Sequence, residues 1–283
     1  MRKRTFPSFL TPQVAKKILE GICPVSLDLG LTEVDLTISK DRVKLPDGNV
    51  IFVKDLEKIA QTKNNVVHFI EKGIVYQVTI FDGHFYKLMP TGNAPTLEID
   101  GIRMHRTKNT TPILDAVEKV EALKIWGGRV LDTCSGLGYT AIKALEKDAD
   151  LVVSVEVKPS VLRIASINPW SNALFTDKRV NLILGDVFTF IDVLPDGFFD
   201  HIIHDPPRLT HSGRLYSREF YCKLHRILRA GGNMFHYTGE PRSKFRRVQI
   251  NKGVARRLRL SGFKNTRYIK KIFGVTCEKP SSP

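Results

Sequence analysis

Apolar strand-like runs alternate with amphipathic helix-like runs between about residue 111 and residue 237. Strands are predicted over residues 129–133, 151–156, 180–184, 200–204 and 233–237. Helices are predicted over residues 113–123, 140–147, 160–167, 187–193 and 214–229. Strand and helix units of this length favour parallel strands, because each helix carries the chain back across the sheet. The predicted fold class is α/β, with a parallel sheet covered by helices on both faces.

The two ends of the sequence depart from this alternation. Strand-like runs over residues 263–269 and 272–277 are separated by Lys270 and Lys271, and so short a link permits an antiparallel hairpin but no crossover. The first hundred residues contain short strand-like runs and one helix-like run over residues 54–61. A chain of 283 residues suits two domains. We predict a small N-terminal α+β domain over residues 1–107 and a Rossmann-like domain with a terminal antiparallel hairpin over residues 108–283.

Acidic residues and glycines follow three successive predicted strands. The first strand runs into the turn Asp132-Thr-Cys-Ser-Gly-Leu-Gly138 before a helix, and glycines there let a ligand approach the backbone. Glu156 ends the second strand, where a carboxylate can accept hydrogen bonds from both ribose hydroxyls of an adenosine ligand. Asp186 follows the third strand, where an acid can accept a hydrogen bond from an adenine amino group. Taken singly, each acid is better explained as a helix cap or a surface acid; taken together, they indicate a site for S-adenosyl-L-methionine (SAM). The predicted SAM-binding residues are Asp132, Ser135, Gly136, Gly138, Glu156, Val157, Asp186 and Val187.

The fourth predicted strand is followed by the tetrad Asp205-Pro206-Pro207-Arg208. Two prolines stiffen the turn, so a carboxylate and a carbonyl oxygen are held where they can accept the hydrogens of an amine. Such acceptors favour attack of an exocyclic base amine on the SAM methyl group. These four residues are the predicted catalytic residues, and the simpler alternative is a rigid loop. The tetrad is similar to the Asp/Asn-Pro-Pro-aromatic motif of amino-methyltransferases, except that Arg208 replaces the aromatic residue that stacks on the base.

The net charge of +15 is concentrated near the C-terminus. Residues 201–283 contain 19 Lys and Arg but four Asp and Glu. This asymmetry predicts a polyanionic partner, and RNA is favoured over a membrane surface because the basic helix lacks a wide apolar face. The segment 94–108 either covers the mouth of the site or is a linker, and histidines such as those at the strand ends are more often structural. The predicted substrate-binding residues are Arg103, His105, Arg106, His204, Arg214, Tyr216, His236, Tyr237, Arg242, Arg246 and Arg247.

Residues 94–283 resemble an archaeal family of class I SAM-dependent methyltransferases with a small front domain. The resemblance rests on residues 94–108, on Leu131 to Gly138, on Asp205 to Arg208, and on His236 to Gly239 with the basic stretch that follows. It implies methylation of the cytidine N4 amine in small-subunit ribosomal RNA, up to dimethylcytidine. It also implies rRNA processing and RNA binding, with the front domain as a possible RNA-docking module.

Three other functions stay open. An aminopropyltransferase using decarboxylated SAM would share the nucleoside crevice and an acid after the fourth strand, although the basic region after His204 suits a polycationic substrate poorly. A non-catalytic RNA-binding protein with a methyltransferase-like fold would have been free to lose Asp132, Glu156, Asp186 and Asp205, yet all four are present. A methyltransferase acting on ribosomal proteins would bring a basic face to a basic substrate.

Composition and patterning exclude several other classes. The chain is 42% hydrophobic and 26% charged, which is ordinary for a globular protein. No apolar run approaches the roughly 20 residues needed to cross a bilayer, and the first residues lack the apolar stretch of a signal peptide. We therefore expect a cytoplasmic protein with no membrane partner. The four cysteines are far apart, without a Cys-x-x-Cys pair, which predicts reduced thiols and no metal site.

Overall fold

The computed structural model describes residues 6–63, 65–207, 213–239 and 244–281. Contacts between Cα atoms divide the chain into two compact units. The first contains Met1–Ile113 together with Ser160–Asn172, and the second contains Leu114–Pro159 together with Ala173–Pro283. The boundary predicted near residue 107 treats each domain as one continuous stretch. It therefore misses the segment 160–172, which groups with the first unit although it comes from the middle of the chain.

Antiparallel strands dominate the first unit. Strands β1, β4 and β5 form one sheet, β2 and β3 a second, and β6 to β9 a third. Thr11 caps the first helix by accepting a hydrogen bond from the backbone N of Val14. The elements are β1 (Phe9–Leu10), α1 (Pro12–Leu19), β2 (Arg42–Lys44), β3 (Val50–Phe52), α2 (Val53–Gln61), β4 (His68–Glu71), β5 (Ile74–Gln77), β6 (Thr79–Phe81), β7 (Phe85–Met89), β8 (Thr96–Ile99) and β9 (Ile102–Arg103).

The segment 94–108 belongs to the fold of the first unit. It contributes β8 and β9, which pair across a turn in which Asp100 and Gly101 both have positive φ. Thr96 and Leu97 are almost completely buried, at 1% exposed each. The segment is therefore no linker, because it is a hydrogen-bonded part of a four-stranded sheet, and its position over the mouth of the site stays a prediction.

The second unit contains most of the alternating strands and helices. Helix α5 groups with the first unit, although it lies between β11 and β12 in the chain. The elements are α3 (Pro112–Glu121), β10 (Arg129–Asp132), α4 (Tyr139–Leu145), β11 (Leu151–Glu156), α5 (Pro159–Ile167), α6 (Asn172–Thr176), β12 (Val180–Leu184), α7 (Val187–Phe190), β13 (Phe199–His204), α8 (Arg218–Ile227), β14 (Leu228–Tyr237), α9 (Lys244–Leu260), β15 (Lys264–Ile269) and β16 (Gly274–Glu278).

These strands form a seven-stranded sheet in the order β12-β11-β10-β13-β14-β16-β15. Strands β10 to β14 pair in parallel, whereas β16 runs antiparallel to both β14 and β15. The α/β prediction with a mostly parallel, Rossmann-like sheet is confirmed. The order of strands reverses at β10, between β11 and β13, and such a switch point opens a crevice at the carboxyl ends of the strands.

Alternating apolar side chains on β10 enter two separate hydrophobic clusters. Leu131 packs with Val153 and Ile202 in one cluster, and Val130 packs with Val152 and Ile203 in the other. Because successive side chains of a strand point to opposite faces, the sheet is apolar on both sides. The pattern explains why these strands read as continuous apolar runs in the sequence.

Two helices begin at residues other than those that the sequence pattern predicts. The predicted helix over residues 214–229 is shortened because Ser217 accepts a hydrogen bond from Phe220 N and starts α8 anew after a 3-10 turn. The sequence pattern predicts a basic helix over about residues 253–260 near the C-terminus, whereas the helix in the structure already begins at Lys244. Among the described residues, no helix combines the length and apolar character needed to cross a membrane.

Candidate functional site

Four carboxylates lie at or just beyond the carboxyl ends of four adjacent parallel strands. Asp132 ends β10, Glu156 ends β11, Asp186 follows β12, and Asp205 follows β13. The register pairs Asp132 with Ser154 and Glu156 with Leu184, so these ends meet at one edge of the sheet. The residues predicted from separate motifs are therefore brought to the same crevice.

In the turn after β10, one of the two glycines is packed so closely that a side chain would not fit at its position. Gly138 caps α4 with φ +76°, and a Cβ added there would lie 2.6 Å from Cδ2 of Leu174. Gly136 also has positive φ, +56°, but a Cβ there would meet open space. Gly138 is thus required by packing and backbone together, while Gly136 leaves room beside the chain.

Glu156 is anchored to this turn. Its Oε2 accepts a hydrogen bond from Gly136 N at 3.0 Å, and its Oε1 accepts one from Lys158 N at 2.9 Å. The residue is 9% exposed, and burial raises its pKa above the ordinary value although these backbone donors oppose the rise. A carboxylate fixed in this way can accept the hydrogens of a vicinal diol. Val157, also predicted to bind SAM, is 55% exposed beside it.

Asp132 is fully buried beneath the same edge. Its Oδ2 accepts a hydrogen bond from the hydroxyl of Ser154 at 2.9 Å. The pKa of Asp132 is raised to about 7, mainly by burial and in smaller part by the charges of Asp205 and Glu156, while hydrogen bonds from Ser154 and Thr140 oppose the rise. Protonated and ionised forms therefore coexist near neutral pH, because desolvation penalises the charged carboxylate. Ser135, in the turn that follows, is buried as well.

Asp186 has both a capping contact and an ion pair. Its Oδ1 accepts a hydrogen bond from Phe188 N at 2.9 Å, which caps α7. Its Oδ2 lies 3.1 Å from a guanidinium nitrogen of Arg214, and that guanidinium stacks 3.9 Å from the centre of the Phe188 ring. Arg214, predicted to bind substrate, is thus a neighbour of the predicted adenine-binding acid. Val187 is buried at the start of the same helix.

The turn that carries Asp205 is held from two sides. The side chain of Asp205 is 19% exposed, and its Oδ2 lies 2.6 Å from Nζ of Lys119. Pro206 is buried, and the carbonyl oxygen of Pro207 accepts a hydrogen bond from the Tyr216 hydroxyl at 3.1 Å. Tyr216 is 2% exposed, so it supports the turn and its ring has little surface left for stacking on a base. Arg208 lies outside the described residues.

His204 and His236 are fully buried neighbours, with ring centres 4.4 Å apart. The Nδ1 of His204 lies 2.8 Å from the Thr133 hydroxyl, and Nε2 of His236 lies 2.8 Å from the Tyr221 hydroxyl. Burial lowers the pKa of His204 to about 4 and the pKa of His236 well below its ordinary value. Both rings are neutral and enclosed, as structural histidines are, so these contacts give no support to their predicted role in binding substrate.

The other predicted substrate-binding residues come from both units. Arg103 donates to the hydroxyl of Thr107, and the ring of His105 lies 3.0 Å from the hydroxyl of Thr96, both within the first unit. Arg106 is half-buried in that unit, and Tyr237 ends β14. Arg242 lies outside the described residues, and of Arg246 and Arg247 only the backbone in α9 is described.

Sequence reasoning missed Lys119, whose Nζ lies 2.6 Å from Oδ2 of Asp205. This residue lies in α3 with Asp115 one turn earlier, and Nζ is 2.8 Å from Oδ2 of Asp115. Ala116, Val120 and Lys119 are all buried, at 2%, 1% and 2% exposed. An Asp and a Lys four residues apart on the apolar side of a predicted helix are the available signal, because a lysine is rarely buried without a charged partner.

Comparison with known proteins gives a relative over almost the whole chain. An "Uncharacterized protein MJ1233" of Methanocaldococcus jannaschii is 43% identical over 281 residues, which covers 96% of both chains. The chain belongs to the family of this archaeal protein. Residues 146–252 also match the family model described as "Spermine/spermidine synthase domain".

Relatives with a named enzyme activity match a smaller part of this chain. A polyamine aminopropyltransferase of Sulfolobus acidocaldarius is 31% identical over 135 residues, 46% of this chain and 42% of that protein. Polyamine aminopropyltransferase 2 of Streptomyces coelicolor is 33% identical over 118 residues, 39% of this chain and 21% of that protein. The chain thus matches less than half the length of each of these two relatives.

Solved structures support the fold. A spermidine synthase in complex with the transition-state analogue AdoDATO superimposes with a TM-score of 0.61 at 20% identity, covering 75% of this chain and 78% of that one. The spermidine synthase of Thermotoga maritima gives 0.57 at 19% identity, covering 75% and 77%. At these identities the likeness establishes the shared α/β architecture.

The predicted assignment to rRNA cytidine methyltransferases is wrong. The domain match and the named relatives point to the spermine/spermidine synthase family instead, and the expectations of rRNA processing, RNA binding and methyl transfer fall with it. The prediction failed because the motifs do not identify the transferred group. Enzymes that transfer different groups can share one fold, with a Gly-rich turn after the first strand and Asp-Pro-Pro after the fourth. The coarser expectation, a transferase, agrees with the matches. The broader expectation of a polyanionic partner stays a prediction.

Proposed function

We propose that this protein is an aminopropyltransferase, which moves the aminopropyl group of decarboxylated SAM to an amine. The domain match over residues 146–252 and the polyamine aminopropyltransferase relatives support this function. The site adds a physical argument of its own, because an aminopropyl acceptor is a cationic amine and its binding favours carboxylates.

The observation that carries the proposal is the concentration of carboxylates around Asp205. Asp205 interacts electrostatically with Asp115 and with Asp132, and Asp132 interacts in turn with Glu156. The chain as a whole has a charge of +15, yet exposed Lys and Arg side chains are found on α9, β15 and the turn before β16. The basic C-terminal region is therefore compatible with an acidic crevice, contrary to the objection raised from the sequence.

The residues at the edge fit an adenosyl group. Glu156 presents a buried carboxylate beside the Gly136 to Gly138 turn, where open space above Gly136 allows close approach. When bound, the sulfonium of decarboxylated SAM supplies a carbon that is open to nucleophilic attack. An acidic edge also favours the decarboxylated form, because the carboxylate of intact SAM would be repelled by Asp132 and Asp205.

Asp205 is the residue suited to receive the proton of the acceptor. The amine nitrogen forms a bond to the propyl carbon next to sulfur, the carbon–sulfur bond breaks, and its electron pair stays on sulfur as the neutral thioether. The nitrogen loses one proton, which Asp205 accepts and then releases to water. The stiff turn through Pro206 and Pro207 holds the carboxylate during this step.

The test is incubation of the protein with isotopically labelled decarboxylated SAM and a panel of di- and polyamines, followed by mass spectrometry. We expect an acceptor heavier by one aminopropyl group, together with methylthioadenosine in equal amount. Parallel reactions with labelled intact SAM should give no methylated amine. Turnover of SAM to a methylated product, without aminopropyl transfer to any amine, would overturn the proposal.

A further inference from the structure

Lys119 is a cation enclosed in the interior of the second unit. Its side chain is 2% exposed, and Ala116, Val120 and Leu123 of the same segment are buried with it. A buried ammonium is unfavourable unless carboxylates or aromatic faces replace its water. The groups that surround Lys119 must therefore compensate for the lost hydration of its ammonium.

Three groups replace the water around the ammonium. Nζ lies 2.8 Å from Oδ2 of Asp115, 2.6 Å from Oδ2 of Asp205 and 4.5 Å from the centre of the Tyr237 ring. Burial alone would lower the pKa of Lys119, but the two carboxylates together raise it above its ordinary value. The ammonium therefore stays charged through the neutral range, and the cation–π contact adds to its stability.

Lys119 contacts two carboxylates that come from distant parts of the sequence. Asp115 shares helix α3 with Lys119, whereas Asp205 reaches it from a turn 86 residues later in the chain. Burial raises the pKa of Asp205, and the Lys119 ammonium offsets part of that rise. With Oδ2 bonded to Nζ, the second oxygen of the carboxylate can accept a proton from a substrate.

We infer that Lys119 is a positioning residue for the reaction, which fixes the orientation of the Asp205 carboxylate and keeps it ionised. The inference rests on the proposed role of Asp205 as proton acceptor. Lys119 itself has no proton to exchange in the neutral range, so it acts through Asp205. The contact links a helix at the start of the second unit to the turn after the fourth parallel strand.

Other titratable groups also act on Asp205 and have to be separated from Lys119. Among the described residues they are Asp115 on α3, Asp132 on β10, Cys134 in the turn after it and Tyr216 before α8, while Tyr237 on β14 acts on Lys119. None of these other groups carries a positive charge, so none of them can replace the Lys119 ammonium. Removal of Lys119 should therefore raise the pKa of Asp205 further.

The experiment compares Lys119→Met, Lys119→Arg and the double variant Asp115→Asn/Lys119→Met. The double variant removes one charge of each sign, which keeps the local net charge of the wild type and guards against misfolding of the single variant. Asp115→Asn alone is its matched control. For the double variant we expect kcat to fall about 10- to 1,000-fold with a small change in KM, and the acid limb of the pH profile to move up by about one unit or more. Lys119→Arg should restore much of both.

A second readout does not require turnover. Carbon-13 NMR of labelled Asp side chains, assigned with Asp205→Asn, should show a higher pKa for Asp205 in the double variant than in Asp115→Asn. Absence of aminopropyl transfer in the wild type would refute the proposed function and leave this titration to decide the coupling. A folded double variant with an unchanged Asp205 pKa, or with wild-type kcat and acid limb, would overturn the role of Lys119.

Discussion

The hydroxyl of Thr133 lies 2.8 Å from Nδ1 of His204, which joins the carboxyl ends of β10 and β13. The same imidazole contacts the carbonyl oxygen of Leu215 through Nε2 at 3.0 Å. Because a carbonyl only accepts, Nε2 carries the proton and Nδ1 accepts from Thr133. The neutral ring thereby fixes the two strand ends from which Asp132 and Asp205 project. The candidate site is thus supported by a buried hydrogen-bond network below it.

Replacing Asp205 by Asn removes the proposed proton acceptor while keeping the size of the side chain. We expect kcat for aminopropyl transfer to fall about 100- to 10,000-fold, with unchanged calorimetric affinity for methylthioadenosine. Asp192→Asn is the control, because Asp192 forms a surface ion pair with Lys223 and is 49% exposed. Near-wild-type turnover by Asp205→Asn would contradict the assignment.

Replacing Glu156 by Gln removes the charged acceptor of the predicted ribose contact. The Kd for methylthioadenosine should rise about 10- to 100-fold, as expected for the loss of charge-assisted hydrogen bonds. Glu146→Gln provides the comparison, since its side chain is 56% exposed and pairs with Lys143. Titration calorimetry measures both, and an equal Kd for the two variants would exclude this role of Glu156.

Gly138→Ala and Gly136→Ala separate backbone strain from steric overlap. Both place a Cβ at positive φ, which costs about 1–2 kcal/mol, but only Gly138 would bring it within 2.6 Å of Leu174. Gly138→Ala should therefore lower the free energy of unfolding by about 1–3 kcal/mol more than Gly136→Ala. Urea denaturation measures the difference, and Leu174→Ala should relieve part of it. Equal losses would show that the overlap is relaxed by small shifts.

The raised pKa of Asp132 predicts a pH dependence of stability with a defined sign. A carboxyl group with a folded pKa of about 7 and an ordinary pKa of 3.8 binds its proton more tightly in the folded state. Stability therefore falls as pH rises from about 4 to 7, by up to about 4 kcal/mol. His204 acts oppositely, because its folded pKa of about 4 makes stability fall as pH drops below about 6.5. Thermal unfolding of the wild type and Asp132→Asn over this range isolates the Asp132 contribution, and parallel curves would refute it.

The parallel sheet and the strand ends that bear carboxylates could be predicted from the sequence because both depend on local patterns. Apolar runs such as residues 151–156 and 180–184 form strands with those bounds, and parallel strands bring their carboxyl ends together automatically. The positions of Asp132, Glu156, Asp186 and Asp205 at the strand ends could be predicted for that reason, while their roles stay predictions. The contacts among them depend on which elements pack together, which a single sequence does not specify.

Lys119 illustrates what the pattern could not provide. The proposed role of Lys119 depends on its contacts with Asp205, which is distant in sequence, and with the ring of Tyr237. For His204 and His236 the pattern leaves both roles open, because a histidine at a strand end can face either a crevice or the core, and their part in substrate binding stays a prediction. The transferred group was misjudged because Asp-Pro-Pro fixes a carboxylate but does not determine whether it serves a methyl or an aminopropyl donor.

The segment 160–172 limits how this chain can be cut or recombined. The Ser160 hydroxyl donates to the Asp82 carboxylate at 2.7 Å, and the Trp170 indole N–H donates to the Leu29 carbonyl oxygen at 3.0 Å. A truncated gene starting near residue 114 would still encode this segment but would have lost both acceptors. Residues 1–113 are therefore not a separable domain. We expect their exchange between homologues to succeed only if residues 160–172 are exchanged together with them.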